Sequence, residues 1–309
     1  MNNPIYIIGA GAIGMTLAVL LKQAGKNVTL IRGRQGSPAE TDEASITVDC
    51  IDSISLSATV PVRSLEEIKT LNGPVLLTSK SFGNRGLAQR LTGKMGQSPL
   101  VLLQNGLDVE EPFLEAGFPR LYRCVLLATS QVQAPYVVRY KPVAASPIGI
   151  VRGLESELAE LVKNLSTTQF PFRTEADIQQ AIWEKVITNC VFNAICPLLD
   201  VDNGIFHRNA SALTLAREVI DECLAVAKKV GVVLNRAEVE QRLLQISQRS
   251  EGQLISTLVD INQGRETEID SLNLAVARLA DRLGQPALAN KTRLLGELTR
   301  LKAEKSLTL

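Results

Sequence analysis

The sequence predicts an α/β N-terminal domain of the Rossmann type followed by an all-α C-terminal domain, and three observations predict it. A short apolar run, Ile5-Tyr6-Ile7-Ile8, stops at Gly9-Ala10-Gly11-Ala12-Ile13-Gly14. Strand candidates then alternate with helical stretches to about Glu175. Beyond it the strand signals fade and helical periods fill the chain. A length of 309 residues, 45% hydrophobic and 21% charged, suits about two domains of ordinary composition. Residues 1–175 are read as a dinucleotide-binding domain and 176–309 as a helical one.

Ile5 to Ile8 reads as the first strand, and the apolar positions from Ile13 to Leu21 fit a buried helix ending at Gly25. Asn27 to Ile31 is the second strand. Ser45 to Val48, Pro74 to Thr78 and Leu100 to Leu103 are further strand candidates, with a helix around Gly86 to Leu91. That rhythm predicts a parallel sheet. Leu121 to Ile150 is β-rich without intervening helices, which suits an antiparallel extension of the sheet, and a helix follows near Leu154 to Leu165. The second domain carries helical periods at Ile178 to Ile195, Leu213 to Val230, Ala237 to Ile246, Ile269 to Leu283 and Ala287 to Leu301. With no long linker between the halves, close packing around a cleft is expected.

Composition removes several function classes. Thirty-three basic against 32 acidic residues leave no electrostatic footprint for nucleic acid or an anionic membrane. Cys50, Cys124, Cys190, Cys196 and Cys223 are odd in number and contain no C-x-x-C pair, which argues against a disulfide framework or zinc ribbon and for a reducing, cytoplasmic setting. The single histidine, His207, rules out a multi-histidine metal site, and its place in a polar break before a helical run makes it a turn or cap residue. The apolar N-terminal stretch has no Lys or Arg before it and is broken by three glycines, so it reads as strand and helix rather than as a signal peptide or membrane span.

A lone G-x-G-x-x-G is a weak signal, but here a strand enters it and a helix leaves it. Gly9, Gly11 and Gly14 then permit a tight turn, close backbone approach to a pyrophosphate and close helix–strand packing, and with Ala12 and Ile13 they are the expected cofactor-binding residues of the turn. Where an NAD site places a carboxylate at the end of the second strand, this chain has Ile31-Arg32-Gly33-Arg34. A guanidinium suits a 2′-phosphate, so NADP, as NADPH, is the expected cofactor, with Arg32 selecting it. The plainer alternative is that both arginines are solvated charges. Lys80 and Asn105 also follow predicted strands, on the edge of the sheet where ligands bind. As isolated residues they would be a surface lysine and a turn asparagine.

In the helical half, Lys185, Asn189 and Asn193 fall at steps of four in Ala181 to Ile195 and line one helix face. The rest of that helix is too apolar for a solvated rod, so the stripe needs polar partners, either a ligand or neighbouring helices. Glu268, in Arg265-Glu266-Thr267-Glu268-Ile269-Asp270, reads by default as a capping box or solvated cluster, and Ser256 is unremarkable by itself.

Taken together, Gly9 to Gly14, the Lys80 strand end, Leu103-Gln104-Asn105-Gly106, Trp183-Glu184-Lys185 with Asn189 and Asn193, and Ser256 to Thr267-Glu268-Ile269-Asp270 resemble the ketopantoate reductase (2-dehydropantoate 2-reductase) family, nearly end to end. The resemblance implies NADPH-dependent reduction of 2-dehydropantoate to pantoate, on the route to pantothenate and coenzyme A. It makes Lys185 the general acid and places Glu268 beside it as a catalytic residue. It also implies that Asn105, Asn189, Asn193, Ser256 and Glu268 contact substrate or organise the site, and that Lys80 and Asn105 serve the cofactor side. A small 2-oxo acid is the partner expected, no nucleic acid or membrane, and a homodimer is the assembly open to it. Two departures stand out: Leu274 follows Asn273 where members often have glycine, and Arg139-Tyr140 stands where many carry a histidine-containing strand. A reductase of another 2-oxo acid and an NADPH-sensing protein without turnover are the alternatives.

Overall fold

A computed structural model describes residues 3–33, 42–50 and 54–307 and divides the chain into two compact units. The first is Met1–Gln104 with Val109–Ile178, and the second is Asn105–Asp108 with Gln179–Leu309.

The first unit begins with β1 (Ile5–Ile8), α1 (Ala12–Gln23), β2 (Val28–Arg32), β3 (Glu43–Cys50), β4 (Ser55–Ser64) and β5 (Val75–Leu77). It continues through α2 (Asn84–Leu91), β6 (Leu100–Leu102), α3 (Glu111–Glu115), β7 (Leu121–Cys124), β8 (Ala128–Ala134), β9 (Val137–Pro142), β10 (Ser146–Arg152), α4 (Glu155–Leu165) and β11 (Phe172–Thr174). Among the described residues the strands form one sheet in the order β11-β10-β7-β6-β5-β1-β2-β4-β3-β9-β8. Its centre, from β7 to β4, is parallel. The antiparallel pairs β7–β10 and β8–β9 fall in the β-rich stretch, as it predicts, although β9 joins β3 in parallel, and β3–β4 is a further antiparallel pair.

Side chains alternate between the two faces of the sheet. Ile7, Leu76 and Val101 enter the core under α1 and α4, and Ile8, Leu77 and Leu102 enter the core under α2 and α3. Each such fully buried side chain contributes about 1.5–3 kcal/mol of transfer free energy. Helix α1 is buried continuously from Gly14 to Leu21 because β3, β4 and β8 pack over the side that a single sheet would leave wet.

Strand β4 escapes the sequence reading, and β3 proves antiparallel to it rather than part of a parallel run. The reason is visible in Ser55–Ser64: its first half is largely exposed and Pro61 interrupts it, which normally demotes a strand.

The second unit is helical. Its helices are α5 (Ile178–Leu199), α6 (Ile205–Arg208), α7 (Ala210–Lys229), α8 (Arg236–Arg249), α9 (Ser256–Asn262), α10 (Asn273–Arg282) and α11 (Asn290–Leu307), with 3-10 turns at Ile269–Ser271 and Pro286–Ala289. Helix α5 is central: Ile187, Cys190, Val191, Ala194 and Cys196 are fully buried around its circumference. Polar side chains set the helix starts. Asn209 accepts from the Ala212 amide at 3.0 Å to cap α7, and Asn235 accepts from the Ala237 amide at 2.9 Å to cap α8. Glu222 receives the Lys291 and Thr292 amides at 3.0 and 2.8 Å, placing a carboxylate at the positive end of α11.

His207 is neither a turn nor a cap residue. It lies inside α6, with Nδ1 3.1 Å from Ser247 Oγ and Nε2 3.5 Å from Glu251, partners brought from α8 and the loop after it. Leu274 is buried, and a Cβ on Gly296 would stand 2.9 Å from its Cδ2, so this departure fills space that a glycine of α11 leaves open. Tyr140 is a core residue of β9, donating to the Gln169 carbonyl at 2.9 Å and stacking on Phe170 at 5.4 Å. Among the described residues no helix is long and apolar enough to cross a membrane, and no group of three His, Cys, Asp or Glu could hold a metal ion.

Candidate active site

Strand β1 lies between β2 and β5, so the chain leaves it at the point where the strand order reverses, outside the carboxyl ends of a parallel sheet. Gly9 has φ +120°, and a Cβ there would stand 2.5 Å from the Ser79 amide nitrogen. A Cβ on Gly14 would stand 1.8 Å from the Gly9 carbonyl oxygen. Packing therefore demands both glycines, and Thr78 fastens the turn by donating to the Ile8 and Gly9 carbonyls at 3.2 and 3.0 Å. Gly11 differs. It is exposed, it starts α1, and a Cβ there would meet nothing within 4 Å. No side chain caps α1, Ala12 and Ile13 are half-buried, and the amides of its first turn form the positive end of the helix. Such a cradle fits the pyrophosphate of a dinucleotide.

Arg32 ends β2, half-buried, and its Nη2 donates to the Tyr136 hydroxyl at 2.9 Å. Tyr136 holds φ 61°, a conformation that costs a non-glycine residue about 1 kcal/mol or more. Arg90 of α2 donates to the Gly33 carbonyl at 2.8 Å and pairs with Glu66. Arg34 lies outside the described residues. Lys80, half-buried, follows β5 just before the 3-10 turn Ser81–Gly83.

At the end of β6, Gln104 and Asn84 exchange amide hydrogen bonds at 2.8 Å in both directions, and Gln104 also donates to the Ser79 carbonyl at 2.7 Å. Asn84 donates to the Val109 carbonyl at 2.8 Å, and buried Arg123 pairs with Glu110. A buried amide without a partner costs about 1–3 kcal/mol, so this reciprocal pairing fixes the backbone on both sides of Asn105–Asp108. A cavity of about 1030 Å³ opens at the amino ends of the same strands, lined among others by Lys26, Asn72 and Arg120. It lies on the wrong edge of a parallel sheet for the glycine loop to use.

In the helical unit, Lys185, Asn189 and Asn193 stand on one face of α5 at steps of about 6 Å, the first two half-buried and the third buried. Their neighbour Glu184 is taken up by Arg242 of α8. Asn193 Oδ1 accepts from Thr257 Oγ1 at 2.8 Å and from Ser256 Oγ at 3.4 Å, which brings the start of α9 onto the stripe.

Glu268 is not the capping residue its sequence context suggests. Its side chain makes no cap bond to the following 3-10 turn, and its Oε2 accepts from Asn105 Nδ2 at 3.1 Å. Two features make that approach possible. Gly106 has φ +102°, and a Cβ there would stand 2.3 Å from the Ser271 carbonyl oxygen; the Leu107 amide donates to that same oxygen at 2.8 Å. Asn273, fully buried, donates to the Cys190 carbonyl of α5 at 3.0 Å and so ties the Glu268 segment to the helix that carries Lys185. The helical unit thus carries a lysine, three carboxamides, a hydroxyl and a carboxylate, with Asn193 in contact with Ser256 and Asn105 with Glu268, a set suited to holding a small oxygen-rich molecule and moving one proton. Thr257, Tyr136 and the Asn84–Gln104 pair were invisible to sequence reasoning, since none of them carries a periodicity or spacing of its own.

Residues 5–151 match the family model for ketopantoate reductase PanE/ApbA, and residues 177–300 match the model for the C-terminal part of the same family. A 2-dehydropantoate 2-reductase of Pyrococcus abyssi (strain GE5 / Orsay) is 27% identical over 287 residues, spanning 93% of this chain and 94% of its own. The crystal structure of a PanE/ApbA family ketopantoate reductase from Ralstonia eutropha JMP134 superposes with a TM-score of 0.84 at 25% identity, over 98% of this chain and 99% of that one. The ternary structure of D-mandelate dehydrogenase with NADH and anilino(oxo)acetate shares the fold at the same TM-score of 0.84, with 21% identity and the same coverage of 98% and 99%.

Proposed function

The chain belongs to the ketopantoate reductase PanE/ApbA family of oxidoreductases, and from that premise we propose that it reduces 2-dehydropantoate to pantoate with NADPH, in the supply of pantothenate and coenzyme A. The observation that carries the reading is the α5 stripe of Lys185, Asn189 and Asn193, with Ser256 against it and Glu268 held by Asn105.

When bound, the nicotinamide dinucleotide supplies the hydride. The open first turn of α1 beside Gly11 holds the pyrophosphate, Lys80 and Asn105 support the cofactor side, and Arg32, steadied by Tyr136, offers its remaining N–H groups to the 2′-phosphate. Lys185 keeps an ammonium proton at the ketone oxygen and delivers it as the carbon is reduced, so that no free alkoxide forms. Asn189, Asn193 and Ser256 orient the oxo acid. Glu268, its other oxygen steadied by Asn105, accepts a hydrogen bond from the substrate hydroxyl.

Because D-mandelate dehydrogenase shares this fold, the choice among 2-oxo acids rests on side chains, and Glu268 is the one that selects a hydroxyl. Steady-state assay with a panel of 2-oxo acids tests the reading. The expected outcome is the highest kcat/KM for 2-dehydropantoate with NADPH, and a loss of at least about tenfold for its hydroxyl-free analogue, since that analogue gives up the hydrogen bond to Glu268. Equal use of the two acids removes the role given to Glu268.

A further inference from the structure

We propose that Thr257 is a positioning residue: its hydroxyl holds the Asn193 carboxamide with the oxygen turned to α9 and the amino group kept for the ligand, which makes Asn193 a hydrogen-bond donor to an oxygen of the oxo acid. The inference rests on the reading that the α5 face holds such an acid, and it adds the direction in which that face recognises it.

A carboxamide has one accepting end and one donating end, and whichever end the protein occupies decides what the other can offer. Asn193 is 3% exposed and Thr257 2%, so bulk water does not compete for their bond. Thr257 Oγ1 donates to Asn193 Oδ1 at 2.8 Å, while Ser256 Oγ, on an exposed residue, reaches the same oxygen at 3.4 Å. Thr257 is therefore the tighter restraint. Asn193 Nδ2 is not bonded to any described residue, nor is it sealed away from solvent as a buried orphan. It is the donor left over.

Lys185, two turns earlier on the same face, is donor-only by its chemistry. With Asn193 locked, the two ends of the stripe both donate, and a molecule that matches them carries acceptor oxygens at both ends, as a hydroxylated oxo acid does. A ligand presenting N–H groups there finds no acceptor.

Thr257→Val keeps the shape of the side chain and removes the donor, so Asn193 Oδ1 faces a methyl group. The amide, held then only by the longer 3.4 Å contact from Ser256, can turn its oxygen toward the ligand, where oxygen meets oxygen. For the 2-oxo acid that the unmodified protein reduces best, KM should rise about tenfold while kcat changes less than about threefold, and NADPH affinity should hold. Thr257→Ser, which restores a hydroxyl, should return KM to the parent value. Should Thr257→Val fail to bind NADPH, Thr257→Cys, whose thiol donates only weakly, takes its place with the same expected KM. A parent-like KM in the donor-less variant, or a Thr257→Ser protein as impaired as it, overturns the role of Thr257 alone. No turnover of any 2-oxo acid by the unmodified protein overturns the underlying reading, and the role of Thr257 with it.

Discussion

At the carboxyl edge of the α/β unit the outward-facing groups are backbone amides, and on the α5 face of the helical unit they are side chains. The difference sets how each tolerates change. Around the glycine loop, shape is dictated by what a Cβ would strike: 1.8 Å from a carbonyl at Gly14, open space at Gly11. Along α5, any residue of helical propensity would keep the helix, and the chemistry depends on which atoms end each side chain and what holds them. A backbone site is lost through packing, whereas a side-chain site can lose its chemistry with its packing intact.

The largest expected effect separates the two regions outright. Lys185→Ala removes the proposed proton donor but nothing from the glycine loop, so kcat should fall by about 10²–10⁴-fold while the Kd for NADPH stays near its parent value. Stopped-flow turnover and a fluorescence titration on one preparation measure both. A variant that keeps normal kcat takes Lys185 out of the mechanism, and one that loses NADPH equally makes the stripe structural.

Within the backbone site, two glycines should respond differently. Gly14→Ala has to displace the Gly9 carbonyl and should destabilise the protein by about 1–3 kcal/mol, read as a lowered Tm. Gly11→Ala meets no protein atom, so Tm should hold while NADPH binding weakens, the added methyl standing where the cofactor approaches. If both variants lower Tm alike, the open face at Gly11 is not a cradle.

A further test addresses a side chain beside the backbone site. Arg32→Ala gives up a charged hydrogen bond of about 1.5–3 kcal/mol, roughly tenfold or more in NADPH affinity, and should leave NADH binding almost unchanged. Equal affinity of the parent protein for the two cofactors would refute the selectivity assigned to Arg32.

The two regions were also unequally legible. The glycine spacing, the strand before it and the helix after it all lie within Ile5 to Gln23, so one stretch of sequence carried the whole turn. The Lys185-Asn189-Asn193 stripe was legible for a similar reason, being the periodicity of a single helix. Strand β4 was not, because its pairing with β3 and β2 rests on partners rather than on its own alternation. Glu268 showed the reverse failure: its neighbours resemble a helix start, yet its carboxylate is claimed by Asn105.

By itself the sequence determined the two classes of fold, the glycine turn and the α5 stripe, since helical period and glycine sterics are local properties that repeat within one segment. Only the tertiary structure decided that Asn105–Asp108 groups with the helices, that Arg32 leans on Tyr136, and that Asn193 gives its oxygen to Thr257. Those outcomes join residues 163, 104 and 64 positions apart for Asn105–Glu268, Arg32–Tyr136 and Asn193–Thr257. Hydrogen bonds of short range and strict direction form where distant segments meet, and local sequence carries no record of that meeting.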